Sequence, residues 1–97
     1  EDMATLPMRA RLAKQLLHVL RRFGERAAVP GQRGPIGLSL VQDELAKLLG
    51  GSRQRINVEL KWMEREGIIG IHQRNIVVYQ QDQLEALAQQ EGPDGRS

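Results

Sequence analysis

The amino-acid sequence predicts an α+β domain that is mainly helical. Several segments repeat apolar residues at helical spacing, and two β-rich runs within residues 68–79 are separated by a polar turn. The chain has 97 residues, 40% of them hydrophobic and only 3% aromatic, so one domain with an aliphatic core is expected. The predicted order is helix, short strand, helix, glycine turn, helix, β-hairpin and C-terminal helix.

The first predicted helix spans residues 7–23. Pro7 suits its first turn and Gly24 suits its end. The apolar stripe that we expect to face the core consists of Leu12, Leu16, Val19 or Leu20, and Phe23. Basic side chains and His18 occupy another face of this helix.

Residues 24–37 predict a surface loop, because they contain Pro30-Gly31 and Gly34-Pro35. At the end of this loop, residues 36–40 alternate apolar and small side chains. This alternation predicts one short strand.

Two further helices are predicted on either side of Gly50-Gly51. The first covers residues 42–49, with Leu45, Ala46, Leu48 and Leu49 facing inward. Ser52 is a suitable N-cap for the second, which extends to about residue 66. Its buried stripe is predicted to be Ile56, Leu60 and Met63.

The last third of the chain predicts a hairpin and a short helix. Two Ile- and Val-rich runs flank the polar turn at residues 72–75. Asp82 is expected to cap the final helix, which directs Leu84 and Leu87 inward. The polar tail, residues 91–97, is expected to be disordered.

The pair of helices around Gly50 has features of a helix-turn-helix. Ala46 is small enough to allow close approach of the two helices, and Gly50 suits a turn with positive φ. Two short helices joined by a tight turn also occur where they only pack a core. The side chains of the second helix must therefore distinguish a DNA-binding helix-turn-helix from simple core packing.

The exposed face of the helix after Ser52 favours nucleic-acid recognition. At about 100° per residue, Gln54, Asn57, Val58 and Lys61 lie opposite the buried stripe, and Arg53 is in the first turn. Such donors and acceptors can contact base edges in a major groove that admits one α-helix. The acid within residues 52–61, a glutamate, points away from this face.

The order of motifs carries a family resemblance. Residues 42–79 have the sequence QDELAKLLGGSRQRINVELKWMEREGIIGIHQRNIVVY, which contains E-L-A, G-x-S-R, G-x-I and a terminal I-V-V-Y. This segment resembles the winged helix-turn-helix DNA-binding domain of the cyclic-AMP receptor protein and FNR superfamily of bacterial transcription regulators. The start, LPMRARLAKQLLHVL, resembles the helix that opens that domain. The resemblance therefore implies a winged helix-turn-helix over residues 6–90.

The resemblance implies roles in base recognition for four residues. Residues 52–66 would form the recognition helix and residues 68–79 the wing. Arg53 matches the guanine-contacting arginine of the family, and Gln54 and Asn57 would contact neighbouring bases. Val58 stands where the cyclic-AMP receptor protein has a second base-contacting arginine, so we expect a different target sequence.

The resemblance also implies contacts to the DNA backbone, which we expect from Ser52, Arg55, Lys61, Gln73 and Arg74. Ser52 can equally be a plain helix cap, and the arginines can be merely solvated. Val41 replaces the usual Ser or Thr at the start of the second helix, so that hydroxyl contact is not expected here.

For the intact protein, the resemblance implies a homodimer on a palindromic double-stranded operator, with RNA polymerase as a further partner. An N-terminal effector domain and a dimerisation helix, expected ahead of this domain, are absent from the 97 residues. No cofactor is expected in the domain itself. Cyclic nucleotides are among the effectors of this superfamily, and the sequence does not identify which signal applies.

Other function classes find little support in the sequence. Two histidines on different elements and no cysteine give no catalytic motif and no metal-ligand set. No apolar run approaches the roughly 20 residues of a membrane span, and a bacterial cytoplasmic, nucleoid-associated location is expected. Two alternatives remain open, a winged helix used as a protein-protein interaction module and a winged helix of another repressor family.

Overall fold

The computed structural model describes residues 2–24 and 33–90. In chain order these form α1 (Asp2–Phe23), β1 (Arg33–Gly37), α2 (Leu38–Leu49), α3 (Arg53–Arg65), β2 (Ile69–His72), β3 (Asn75–Val78) and α4 (Gln81–Ala88). The strands make an antiparallel sheet of order β1-β3-β2. The fold is the predicted winged helix-turn-helix, mainly helical and α+β. Most of the predicted loop and the tail at 91–97 lie outside the described residues.

Helix α1 passes through the centre of the domain and packs on α2 and α4. The predicted stripe is confirmed for Leu12, Leu16, Val19 and Leu20, which are buried. The prediction for Phe23 is wrong, since its ring is exposed and the Arg22 guanidinium lies 5.0 Å from the ring centre.

The start of α1 also differs from the prediction. The helix begins at Asp2, five residues before Pro7. Proline in the second turn removes one helical N–H donor, and the helix nevertheless continues through it. Pro7 therefore does not mark the N-terminus.

The strand and helix before the turn begin earlier than predicted. Strand β1 covers Arg33–Gly37 rather than 36–40, and α2 begins at Leu38 rather than at residue 42. Buried Val41 and Leu45 are four residues apart, as on one face of a helix, and this stripe begins before the predicted helix start at residue 42. The prediction that Leu48 faces inward is wrong, since its side chain is 43% exposed, although its spacing from Val41 and Leu45 is helical.

The turn between α2 and α3 matches the prediction. Gly50 has φ 68°, and its N–H donates to the Ala46 carbonyl over 2.9 Å. A Cβ on Gly50 would meet nothing, so glycine is favoured there by its conformation rather than by lack of space. The Ser52 Oγ accepts from the Arg55 N–H at 3.1 Å, which confirms the predicted N-cap.

Helix α3 buries the predicted stripe, Ile56, Leu60 and Met63. After it, the hairpin of β2 and β3 pairs Ile69 with Val78 and His72 with Asn75. Strand β1 joins the other edge of β3, where Ile36 faces Ile76. Because β1 ends at Gly37 and α2 begins at Leu38, the sheet that contains the wing leads directly into α2.

A close contact in the wing explains one glycine. The Tyr79 ring covers Gly70, where any Cβ would overlap the ring, and the Tyr79 hydroxyl is 2.6 Å from His72 Nε2.

Helix α4 completes the core by burying Leu84 and Leu87, as predicted. Its N-cap is Gln80, and Asp82 lies in the first turn, so the predicted cap is wrong. Within the described ranges, no helix has the length and apolar character that a membrane crossing requires.

Candidate nucleic-acid interface

The face of α3 opposite the core is polar and exposed. Every residue predicted to contact bases or the backbone from this helix is exposed, namely Ser52, Arg53, Gln54, Arg55, Asn57, Val58 and Lys61. We call this set the α3 face. Of the acids on α3, Glu59 is buried and Glu64 lies in the last turn. The N-terminal half of the α3 face is therefore free of carboxylates from its own helix.

Arg53 is held by two side chains of α2. Its Nη2 donates to Gln42 Oε1 at 2.5 Å, and its Nη1 is 3.0 Å from Asp43 Oδ1. A guanidinium has five N–H donors, so at least three remain for a further partner. The side chain is 52% exposed, which leaves the guanidinium accessible from outside the domain.

Asn57 is attached to the same glutamine. Gln42 Nε2 donates to Asn57 Oδ1 at 2.5 Å. Gln42 itself is only 8% exposed, so a nearly buried amide connects the arginine and the asparagine of the α3 face. We call Gln42, Asp43, Arg53 and Asn57 the α2–α3 network.

The remaining predicted side chains of the first turns are not held in this way. Within the part of the chain that the structure describes, the side chains of Gln54 and Arg55 carry no hydrogen bond or ion pair. Together with Ser52 and Val58 they line an open depression of about 280 Å³. Val58 is 51% exposed, so its methyl groups face outward beside polar neighbours.

Lys61 is further along the helix. Its Nζ is 3.4 Å from Glu64 Oε1, and the lysine side chain is 65% exposed. An exposed pair of this kind contributes about 0–1 kcal/mol, so Lys61 is available to another anion.

The wing turn lies beside the start of α2. The carbonyl of Arg74 accepts from the Leu38 N–H at 2.9 Å. Leu38 and Gln42 are one helical turn apart on the same side of α2. The wing turn and the α2–α3 network are therefore joined through adjacent turns of one helix.

The turn has an uncommon backbone. Gln73 and Arg74 both have positive φ, 52° and 66°, as the two central residues of a type I′ hairpin turn require. Both side chains are exposed. The Gln73 carbonyl accepts from Asn75 Nδ2 at 3.1 Å, which supports the turn.

A buried ion pair supports α3 from behind. Glu59 is 1% exposed, and its Oε1 is 2.6 Å from Arg9 Nε on α1. The Arg9 guanidinium also lies 4.1 Å from the centre of the Trp62 ring. Trp62 therefore packs against α1 and is not part of the α3 face.

Sequence reasoning did not identify Gln42, Asp43 or Glu59 as partners of the site. A signal existed for two of them, because Gln42 is three residues before Leu45 and Glu59 three residues after Ile56. Both positions fall on buried stripes, and a buried polar side chain requires a partner. The identity of the partner could not be derived, since Arg9 is 50 positions from Glu59.

The chain is similar to known proteins in sequence and in fold. Residues 10–87 match the Crp-like helix-turn-helix domain family. A curated relative, the CRP-like cAMP-activated global transcriptional regulator of Mycobacterium tuberculosis, is 29% identical over 83 residues in two strains. That match covers 86% of this chain and 36% of the relative, so the chain spans about a third of that protein's length.

Two solved structures share the fold. Oxidized CprK in complex with o-chlorophenolacetic acid superposes with a TM-score of 0.64 at 22% identity, covering 84% of this chain and 33% of CprK. Reduced CprK without ligand gives a TM-score of 0.57 at 17% identity, covering 81% and 36%.

Proposed function

The chain belongs to the Crp-like helix-turn-helix domain family, and from this premise we propose that it binds double-stranded DNA sequence-specifically as part of a bacterial transcription regulator. The observation that carries the proposal is the α3 face, where exposed donors and acceptors surround a positioned arginine. Helix α3 would lie in the major groove, which admits one helix. The wing would contact the backbone.

In this proposal, base edges are contacted by Arg53, Gln54, Asn57 and Val58. Arg53 has at least three uncommitted N–H groups, enough for a bidentate contact to guanine O6 and N7. Val58 would pack on a thymine methyl group. Gln54 has both a donor and an acceptor, and it has no partner within the described residues.

Backbone contacts would come from Ser52, Arg55, Lys61, Gln73 and Arg74. Ser52 and Arg55 flank the N-terminus of α3, where orphan N–H groups and the helix dipole favour a phosphate. Arg74 would reach the backbone from the wing turn. These contacts fix orientation and supply the salt-dependent part of the affinity.

We further propose a homodimeric regulator acting on a palindromic operator in the bacterial cytoplasm, with RNA polymerase as a further partner. Two recognition helices would then bind half-sites about 34 Å apart. Its role would be regulatory rather than enzymatic. The name of the curated relative includes cAMP activation, so cyclic nucleotides are the effectors to test first in the longer protein.

Selection of duplexes from a random pool, with the chain fused to a dimerising helix, tests the proposal. We expect an enriched palindrome whose half-site contains a guanine. Arg53→Ala should lose about 1–3 kcal/mol of binding free energy and remove the preference at that base pair.

Arg65→Ala is the matched control, because Arg65 is exposed on the same helix about 18 Å further along the axis. It should leave the base preference unchanged. If no duplex is enriched and no binding occurs at low salt, DNA binding is wrong. The exposed Val58 then favours the alternative function, a protein-protein contact through the α3 face.

A further inference from the structure

The α2–α3 network has a fixed hydrogen-bond direction. Arginine has only donors, so the atom of Gln42 that faces Arg53 must be the carbonyl oxygen. The amide nitrogen of Gln42 then faces Asn57 and needs an acceptor, which is Asn57 Oδ1. The orientation of both amides therefore follows from the arginine and not from an arbitrary assignment.

This direction determines what Asn57 can offer to a ligand. Its oxygen is engaged by Gln42, so its NH2 group remains as the outward donor. In a major groove, outward donors match the acceptors of guanine and thymine and the N7 of adenine, whereas cytosine offers only a donor at N4. An asparagine held this way is expected to differ from a free one, which can pair with adenine through both atoms.

We propose that Gln42 is a positioning residue that sets base specificity, by deciding which atom of the Asn57 amide faces the DNA. The inference rests on the proposed DNA binding of the α3 face. Gln42 is nearly buried and touches no base; it acts through Asn57. The residue that determines one base preference would thus lie on α2, outside the recognition helix.

The isosteric substitution Gln42→Glu reverses the direction of the network. A carboxylate accepts from Arg53 as before, but it must also receive a donor from Asn57. The Asn57 amide then turns over and presents Oδ1 outward. The preference at that position should change from guanine or thymine toward cytosine, by about fivefold for one exchanged hydrogen bond, and adenine, which has both a donor and an acceptor, should be affected least.

The experiment is duplex selection with the same tethered chain, followed by binding measurements on the enriched sites. Asn57→Ala first identifies the base position that depends on Asn57, and Arg53→Ala identifies the arginine position. Gln42→Glu should invert the first position and retain the second. Gln42→Met, which has neither donor nor acceptor of this kind, should flatten the first position and weaken the second.

Asn57→Asp gives the same prediction by a different change. It keeps the acceptor for Gln42 and presents a second acceptor outward, so it should shift the same base position in the same direction as Gln42→Glu. Because Asn57 is exposed, this variant keeps the inference testable if Gln42→Glu does not fold. Thermal melting by circular dichroism checks folding of each variant.

Gln83→Glu is the charge control, since it makes the same amide-to-carboxylate change at an exposed site of α4. It should lower overall affinity slightly without altering any base preference. The inference is wrong if folded Gln42→Glu and Asn57→Asp keep the wild-type preference, or if Asn57→Ala changes no position. Failure of the wild-type chain to select any duplex would instead overturn the proposed function, and this inference with it.

Discussion

Asp43 is the residue that most directly opposes the proposed contact with DNA. Its carboxylate is 54% exposed and lies 3.0 Å from Arg53 Nη1. An exposed pair of this kind contributes about 0–1 kcal/mol to stability, whereas a carboxylate on a DNA-binding surface repels phosphates. Asp43 thus lowers affinity while it helps to hold Arg53 in place.

Asp43→Asn should therefore raise the affinity for the selected duplex by up to about fivefold, the equivalent of 1 kcal/mol. The free energy of unfolding should change little. Fluorescence anisotropy at several salt concentrations measures this effect. Asp82→Asn, which neutralises an exposed acid on α4, is the control. An equal gain in affinity from this variant would mean that the effect comes from net charge and not from the position of Asp43.

The exposed residues of the site could be predicted from the sequence, and their partners could not. Ser52 and the α3 face follow from helical spacing, because exposure on a helix is a local property. The bonds from Arg53 to Gln42 and from Glu59 to Arg9 depend on how helices pack. That information is distributed along the chain and has no local pattern.

The wing turn combines strain with a proposed function. Gln73 and Arg74 adopt positive φ without being glycine, which costs about 1–2 kcal/mol for a residue with a Cβ. Asn-Gly would be the favoured pair for such a turn. Arg74 therefore lowers stability relative to glycine while it adds a positive charge to the turn.

Arg74→Gly should stabilise the fold and weaken DNA binding at the same time. Relief of strain should raise stability by about 1 kcal/mol, a rise of about 4–8 °C in melting temperature. Loss of one phosphate contact should reduce the slope of log K against log salt by about 1. Gln73→Gly relieves similar strain without loss of charge, so the salt slope of this variant should equal that of the wild-type chain. Equal salt slopes for the wild-type chain and both variants would exclude a phosphate contact by Arg74.

A buried ion pair between Arg9 and Glu59 links α1 with α3. Arg9→Met would leave Glu59 buried without a partner, and breaking a buried pair costs about 3–5 kcal/mol. The double variant Arg9→Met, Glu59→Met removes both charges and should recover most of that loss. Urea unfolding of the two variants measures the difference, and equal stability of single and double variants would contradict a buried-charge effect.

Local signals predicted some boundaries correctly, although those at Pro7 and Asp82 were wrong. Ser52 caps α3 and Gly50 ends α2, as their residue types indicate. The start of α2 was predicted too late because residues 36–40 alternate like a strand. The helical spacing of this segment becomes visible only when the stripe is followed as far as Leu45. Strand β1 depends on pairing with β3, and such pairing between distant segments is not visible in a local window.

At the scale of the whole domain, the wing turn is connected to the α2–α3 network through the first turns of α2. The net charge is only +2, so the attraction of the entire molecule for a polyanion is weak. Binding must then depend on where the cations lie. The cations proposed for the backbone are Arg55 and Lys61 on the α3 face and Arg74 in the wing turn, and all three are exposed.

A single domain should accordingly bind weakly and with a modest dependence on salt. Three phosphate contacts at about 0.9 each predict a slope of log K against log salt near −2.7, and two tethered copies should give about twice that value. Tethering should also raise affinity for a palindrome by about 10²–10⁴, because the second half-site is bound at a high effective concentration.

Titrating the 97-residue chain and its tethered form on one duplex, with a half-site duplex as control, measures both the salt slope and the gain in affinity. A tethered form that gains nothing on the palindrome over the half-site would show that the two copies do not bind together, and the dimeric arrangement would then be wrong even if each domain binds DNA.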